Sequence, residues 1–200
     1  MYHRPYDPKR PVVCMDEKSY QLLDHARTPL PMKKGKNKRE DNEYTRNGTC
    51  SLFVFFEPLS GFRYVNASHR RTKKDWAREI KYLLSECYPD ADKVVLVMDN
   101  LNTHTISSLY ETFPAKEAFS LAQKLEIHYT PKHGSWLNIA EIEISAISLQ
   151  CLNRRIADMD TLQAEVNTWQ CHRNMNKNKV NWQFSADDAR TKLKRLYPQI

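Results

Sequence analysis

Two short runs of uninterrupted apolar residues, Val12–Met15 and Val94–Met98, are each followed at once by an aspartate, Asp16 and Asp99. The runs are short and β-branched, which reads as strand. A strand that is continuously apolar, with no polar alternation, is covered on both faces. Such a sheet needs helices above and below it, and this narrows the chain to helix-covered α/β architectures.

The other segments complete that picture. Cys50–Phe56 and Phe62–Val65 are aromatic and β-branched and flank a Pro58-Leu59-Ser60-Gly61 turn, which predicts an antiparallel hairpin. Trp76, Ile80, Leu83, Leu84 and Cys87 recur at three and four, predicting an amphipathic helix over 73–87. Residues 107–124 read as helix with a break at Pro114, 125–129 as a strand, and 137–154 and 162–172 as helices. Antiparallel strands followed by strand–helix alternation predict a mixed sheet with helices on its faces. The polar stretch from Asp24 to Tyr44 carries Lys33, Lys34, Lys36, Lys38 and Arg39, and an exposed basic insertion is expected within 24–49. The domain is expected to span 1–175. A tail over 176–200, with Trp182, Phe184, Leu193, Leu196 and Tyr197, is expected to pack on it.

Composition removes several function classes. Only four glycines are present, and neither G-x-G-x-x-G nor the Walker pattern occurs, so no nucleotide cofactor is expected. Five scattered cysteines without a C-x-x-C pair argue against a disulfide framework and a zinc ribbon. No apolar run is long enough to span a membrane and no leader opens the chain, so a cytoplasmic protein is expected. The formal charge of +7 favours a polyanionic partner.

If the two Asp-terminated strands are neighbours, their carboxylates lie within about 5–6 Å of each other. Two ionised carboxylates that close repel, and a hard divalent cation removes the penalty. A third ligand is expected from the start of the long helix, where Glu141 and Glu143 are about 200° apart around the axis. Taking Ile139, Ile142, Ala146 and Leu149 as the buried stripe turns Glu141 inward and Glu143 toward solvent. Glu17 lies on the strand face opposite Asp16 and is not counted as a ligand.

Three segments, VVCMDE around Asp16, VLVMDNLNTH around Asp99 and TPKHGSWLNIAEIE around Glu141, resemble the DDE transposases of bacterial insertion sequences, in the superfamily that includes mariner. The resemblance runs from about Pro11 to about Arg173. It implies a ribonuclease H-like α/β fold, a mixed five-stranded sheet with helices on both faces. It also implies that Asp16, Asp99 and Glu141 are the catalytic, metal-binding acids. They would hold two Mg2+ (or Mn2+) ions for DNA strand cleavage and strand transfer. The implied partners are the element's terminal inverted repeats, target DNA and a second copy of the chain, in the bacterial cytoplasm and on the nucleoid.

Several residues are candidates for support. Asn100 and His104 would steady the loop of the second aspartate or touch phosphate, and Lys132 and His133 would meet the scissile phosphate. Asn138 and Trp136 would orient the helix start, with base stacking by Trp136 as an alternative. Besides the 33–39 cluster, Arg70, Arg71, Lys73, Arg154 and Arg155 are candidates for salt-sensitive, sequence-blind DNA contact. With the first strand starting near Val12, no helix-turn-helix region fits ahead of it, so a catalytic domain alone is expected. The competing readings are a stand-alone nuclease of the same fold and a catalytically idle DNA-binding remnant.

Overall fold

In the computed structural model of the chain, residues 2, 4–131, 134–192 and 194 are described. The strands in chain order are β1 (Val12–His25), β2 (Tyr44–Glu57), β3 (Phe62–Ser68), β4 (Val94–Met98) and β5 (Leu125–Tyr129). The α-helices are α1 (Lys73–Tyr82), α2 (Ile106–Thr112), α3 (Ala115–Gln123), α4 (Ala140–Gln150), α5 (Met159–Met175) and α6 (Ala186–Lys192). The sheet order is β3-β2-β1-β4-β5. The β1–β2 and β2–β3 pairs are antiparallel, and β1–β4 and β4–β5 are parallel. This is the mixed five-stranded sheet expected from the sequence.

Strand β1 corrects one expectation. Asp16 does not end it; the strand runs on to His25. Only Val12, Val13 and Cys14 pair with β4, opposite Val95, Leu96 and Val97. From Cys14 onward β1 is matched by β2, and its residues alternate toward exposure after Met15. The apolar run thus marks the part of the strand flanked and covered on all sides, not its whole length. The basic insertion shrinks accordingly: 24–25 belong to β1, 44–49 to β2, and the connection is 26–43.

The sheet buries both faces. On one, Val13, Met15, Phe53, Phe55, Leu96 and Met98 pack against Trp76 and Ile80 of α1, Leu109 of α2 and Leu121 of α3. On the other, Leu52, Val54 and Val65 pack against Ile147 of α4 and Leu162, Val166 and Trp169 of α5. Each such side chain contributes about 1.5–3 kcal/mol on burial. Helix α1 starts at a capping box: Thr72 Oγ1 accepts from Asp75 N–H, and Asp75 accepts from Thr72 N–H. It then runs on into a π-helical turn, Leu83–Cys87, and Pro114 separates α2 from α3. The β2–β3 turn sits hard against the chain after α5. A Cβ on Gly61, at φ +78°, would fall 2.7 Å from the carbonyl carbon of Lys177. No described helix is long and apolar enough to cross a membrane.

Helix α4 overturns the expected stripe. It is shorter than expected, preceded by a 3₁₀ turn at Ser135–Leu137. Ile142 and Leu149, expected in the core, are 45% and 74% exposed. The buried residues are Ala140, Glu143 and Ile147. Glu143, expected toward solvent, is fully buried between two arginines. Its Oε1 lies 2.7 Å from Arg63 Nε, an ion pair not aligned as a hydrogen bond, and accepts from Arg173 Nε at 2.8 Å. Arg63 is itself buried, stacks over Phe56, and donates to Asn174 Oδ1 and Asn178 O. The helix is turned by an ion-pair network rather than by its apolar residues.

Removing one partner of a buried ion pair strands the other charge, which costs about 3–5 kcal/mol. Glu143→Ala should therefore lower the melting temperature by roughly 10 °C, whereas Leu149→Ser should leave it nearly unchanged. Equal losses in thermal melts of the two variants would contradict the burial described.

Candidate active site

The parallel register carries two residues past the last β1–β4 pair: Cys14 faces Val97, so Asp16 comes opposite Asp99. Both lie at the carboxyl side of the central parallel strands, where sites in open α/β sheets form. Asp16 is half-buried, and Glu17 N–H donates to its Oδ1 at 2.7 Å. Burial pushes its pKa from 3.8 to about 6; the Glu17 N–H opposes this, and the nearby charges of Glu141 and Asp99 add to it. Glu141, on the first turn of α4, is exposed and faces this pair closely enough to be felt by Asp16. The structure thus brings all three expected acids into one electrostatic neighbourhood. Glu141 reaches it on the open side of α4, not by the inward turn expected.

Asn138 ties α4 to β1. It is buried, its Nδ2 donates to Met15 O at 2.8 Å and reaches Asp16 Oδ2 at 3.5 Å, and its Oδ1 accepts from Ala140 N–H at 3.2 Å. One side chain therefore holds both the strand at Asp16 and the start of the helix that carries Glu141. Trp136 is already occupied: its ring meets Phe184 edge-on at 5.0 Å, and Lys192 Nζ lies 4.6 Å from its centroid. Trp182, next in that aromatic row, also meets Tyr2, whose hydroxyl donates to Leu137 O.

Of the two roles expected for His104, its full burial leaves no phosphate contact and its bond to Asp99 fits the steadying of that loop. Its ring stacks on Trp76, its Nδ1 lies 2.7 Å from Asp99 Oδ1, and its Nε2 lies 3.0 Å from Glu17 Oε1. A ring nitrogen beside a carboxylate oxygen must donate, so two such contacts make the ring an imidazolium. Burial opposes that charge, but the hydrogen bonds and charges of Asp99 and Glu17 outweigh it and raise the pKa to about 9. Glu17 was set aside on strand alternation alone. It points away from Asp16, as expected, but into the support of Asp99, and Arg71 Nη1 stands 3.5 Å from its Oε2. The adjacent D-E pair was the available signal.

Asn100 is exposed beside Asp99, and Lys132 and His133 lie outside the described residues. The basic candidates divide into three groups, with Arg71, paired with Glu17, joining the ion-paired one. Lys33, Lys34, Lys36, Arg39 and Arg70 are exposed. Lys38 pairs with Glu40, Lys73 with Glu111 and Arg154 with Glu165. Arg155 departs from the expected surface role: it donates to the carbonyls of Asp41 and Glu43 and meets His25 Nδ1, clamping the base of the 26–43 connection.

The donor set suits a hard divalent cation: oxygens only, converging negative charge, and an Asp16 carboxyl whose burial and like-charged neighbours push its proton affinity up. Among the described residues, no three acidic, imidazole or thiol side chains close around a single point. Mg2+ is commonly held by one or two carboxylates, with water and substrate phosphate completing its shell. Asp16 and Asp99 with Glu141 nearby match that pattern better than a closed all-protein cage.

Residues 11–163 match a family model described as DDE superfamily endonuclease. A search of curated proteins found no match. Among solved structures, the Mos1 mariner paired-end complex with Mn is 14% identical at a TM-score of 0.55, covering 84% of this chain and 52% of that one. The Mos1 transposase paired-end complex with the left transposon end is 14% identical at 0.57, covering 91% and 53%. The catalytic domain of Mos1 mariner transposase is 11% identical at 0.53, covering 84% and 76%. The chain spans about half the length of the chains in the two complexes. The likeness is one of fold, the ribonuclease H-like arrangement of that catalytic domain.

Because Asp16 holds its proton more tightly folded than unfolded, its contribution to stability is full below about pH 4 and lost as pH rises through about 6. Metal-free Asp16→Asn should therefore melt higher than the parent at pH 7.5, by about 1 kcal/mol after solvent screening, or roughly 2–4 °C. The gain should vanish near pH 4. Scanning fluorimetry at both pH values checks this; a variant melting lower at pH 7.5 refutes it.

Proposed function

The chain belongs to the DDE superfamily endonucleases, and on that premise we propose that it is a transposase catalytic domain that cuts DNA at the ends of an insertion sequence and joins the ends to target DNA. The observation that carries this reading is the placement of Asp16 and Asp99 just past the last β1–β4 pair, with Glu141 on the first turn of α4 near enough for its charge to be felt by Asp16. Asp16, Asp99 and Glu141 would hold two divalent ions, Mg2+ or Mn2+. Bound there, such ions activate the attacking oxygen and stabilise the leaving one in an in-line displacement at phosphorus.

The chain's own part is to hold and aim. Asp16 is fixed by the Glu17 N–H, Asp99 by His104, and the helix of Glu141 by Asn138 and by the buried Glu143 pair. The oxygen of water cleaves, and the oxygen of a DNA 3′-hydroxyl joins, so no protein side chain needs to form a covalent bond. The exposed Lys33, Lys34, Lys36, Arg39 and Arg70 would follow the phosphate backbone, supplying affinity without sequence preference. A homodimer holding two element ends belongs to the same reading.

With Mg2+ or Mn2+, the protein should cleave DNA bearing its element ends and form joined products. Asp16→Ala, Asp99→Ala and Glu141→Ala should each lower cleavage at least about a hundredfold under conditions where the variant remains folded. Undiminished cleavage by Asp99→Ala would remove that residue from the site, and products only hydrolysed, never joined, would leave a nuclease. In DNA-binding titrations, Lys33→Ala and Lys36→Ala should each make the dependence of log K on log salt shallower by about 1. An unchanged slope would remove the 26–43 connection from the DNA path.

A further inference from the structure

Asp99 is gripped from behind by machinery that the displacement at phosphorus does not itself require. His104 sits wholly inside the protein, between two carboxylates and under the Trp76 ring. A buried charged ring is costly unless fully paired, and a leucine would fill a core site at less risk. The residue is also held at its backbone and at one ring nitrogen. His104 backbone N–H donates to Leu101 O at 3.0 Å, Tyr129 OH donates to His104 O at 2.8 Å, and ring Nε2 is held by Glu17. Glu17 is itself enclosed: its side chain is 3% exposed, and its Oε2 makes no hydrogen bond but has Arg71 3.5 Å away as an ion pair. What remains for Nδ1 to act on is a single oxygen of Asp99, which begins the loop after β4.

Glu17 has a second hold. Its backbone N–H donates to Asp16 Oδ1 at 2.7 Å. Strand alternation lets one residue aim both sheet acids, Asp16 through its backbone and Asp99 through the imidazole.

The geometry points to Glu17 and His104 as positioning residues, a buried carboxylate–imidazole pair that locks the Asp99 carboxylate in the orientation needed to take up a divalent ion. This rests on the reading of Asp16 and Asp99 as metal-binding acids. Partners of this kind behind a ligand set its orientation, and their loss weakens metal binding or activity by about 10- to 100-fold.

The test is direct Mn2+ binding to the whole chain, followed by loss of the free-ion EPR signal, with melting curves in parallel. Glu17→Gln keeps the shape and removes the charge. His104→Leu removes both donors, and His104→Asn restores an N–H near the place of Nδ1. Glu17→Gln and His104→Leu should weaken Mn2+ binding about 10- to 100-fold, and His104→Asn should recover most of the loss. Cleavage by the weakened variants should recover as Mn2+ is raised. Should His104→Leu fail to fold, Glu17→Gln decides the matter. Parent-like Mn2+ affinity in Glu17→Gln, alongside loss of binding in Asp99→Ala, would overturn the positioning role and leave the metal site standing. Parent-like binding in Asp99→Ala would instead sink the metal-site reading, and this inference with it.

Discussion

Three residue pairs between β1 and β4 carry the rest of the molecule. Val12, Val13 and Cys14 lie beside Val95, Leu96 and Val97, and among the described residues that short parallel stretch is the strand pairing that joins the antiparallel half of the sheet to the parallel half. It brings two acids from distant parts of the sequence face to face. It also makes the apolar bed on which Ile139 and Ala140 dock, so the entry of α4 is set by the same contact. Just past the last pair, the Met15 carbonyl accepts from Asn138, which fixes where α4 begins. The sheet's weakest-looking seam, by length, is its organising one.

The charges around that seam are compensated unevenly. Asp99 has an imidazolium against one oxygen, and Glu143 has two guanidinium groups. Asp16 is half-buried with one N–H on its Oδ1 and two like charges nearby, and burial first, then those charges, raises its proton affinity. A cation at Asp16 would relieve that penalty, while Asp99 and Glu143 are held in place by charges of the protein's own.

Much of this was legible in the sequence, because the strands and the first helices are specified by uninterrupted local patterns. Val94–Met98 reads directly as the strand it forms, Val12–Met15 as the start of a strand that runs on to His25, and the Trp76–Cys87 periodicity as a helix that ends in a π-helical turn. The orientation of α4 was not legible. Ile142 and Leu149 look like core, but the inward face of that helix is decided by Arg63 on β3 and Arg173 on α5, far away in sequence. Helical periodicity assumes that apolar burial sets the rotation; here a desolvated ion pair does. Glu17 was missed for a similar reason. Alternation correctly turns it away from Asp16, but nothing local says that His104 waits on the other side. Arg155 likewise reads as free surface charge, but the carbonyls of Asp41 and Glu43 claim it.

The opposed directions of Asp16 and Glu17 have one more effect, on β1 itself. Sliding a strand by one residue exchanges its two faces. In most strands a slip merely trades apolar for polar positions. In β1 it would put the longer carboxylate over the open site and drive the shorter one toward the imidazole pocket, too short to reach His104 Nε2, leaving that ring half-bonded in the core. The two neighbouring acids, unequal by one methylene, therefore act as a check on the pairing of the strand that carries them, and misalignment is penalised at the place where alignment matters most.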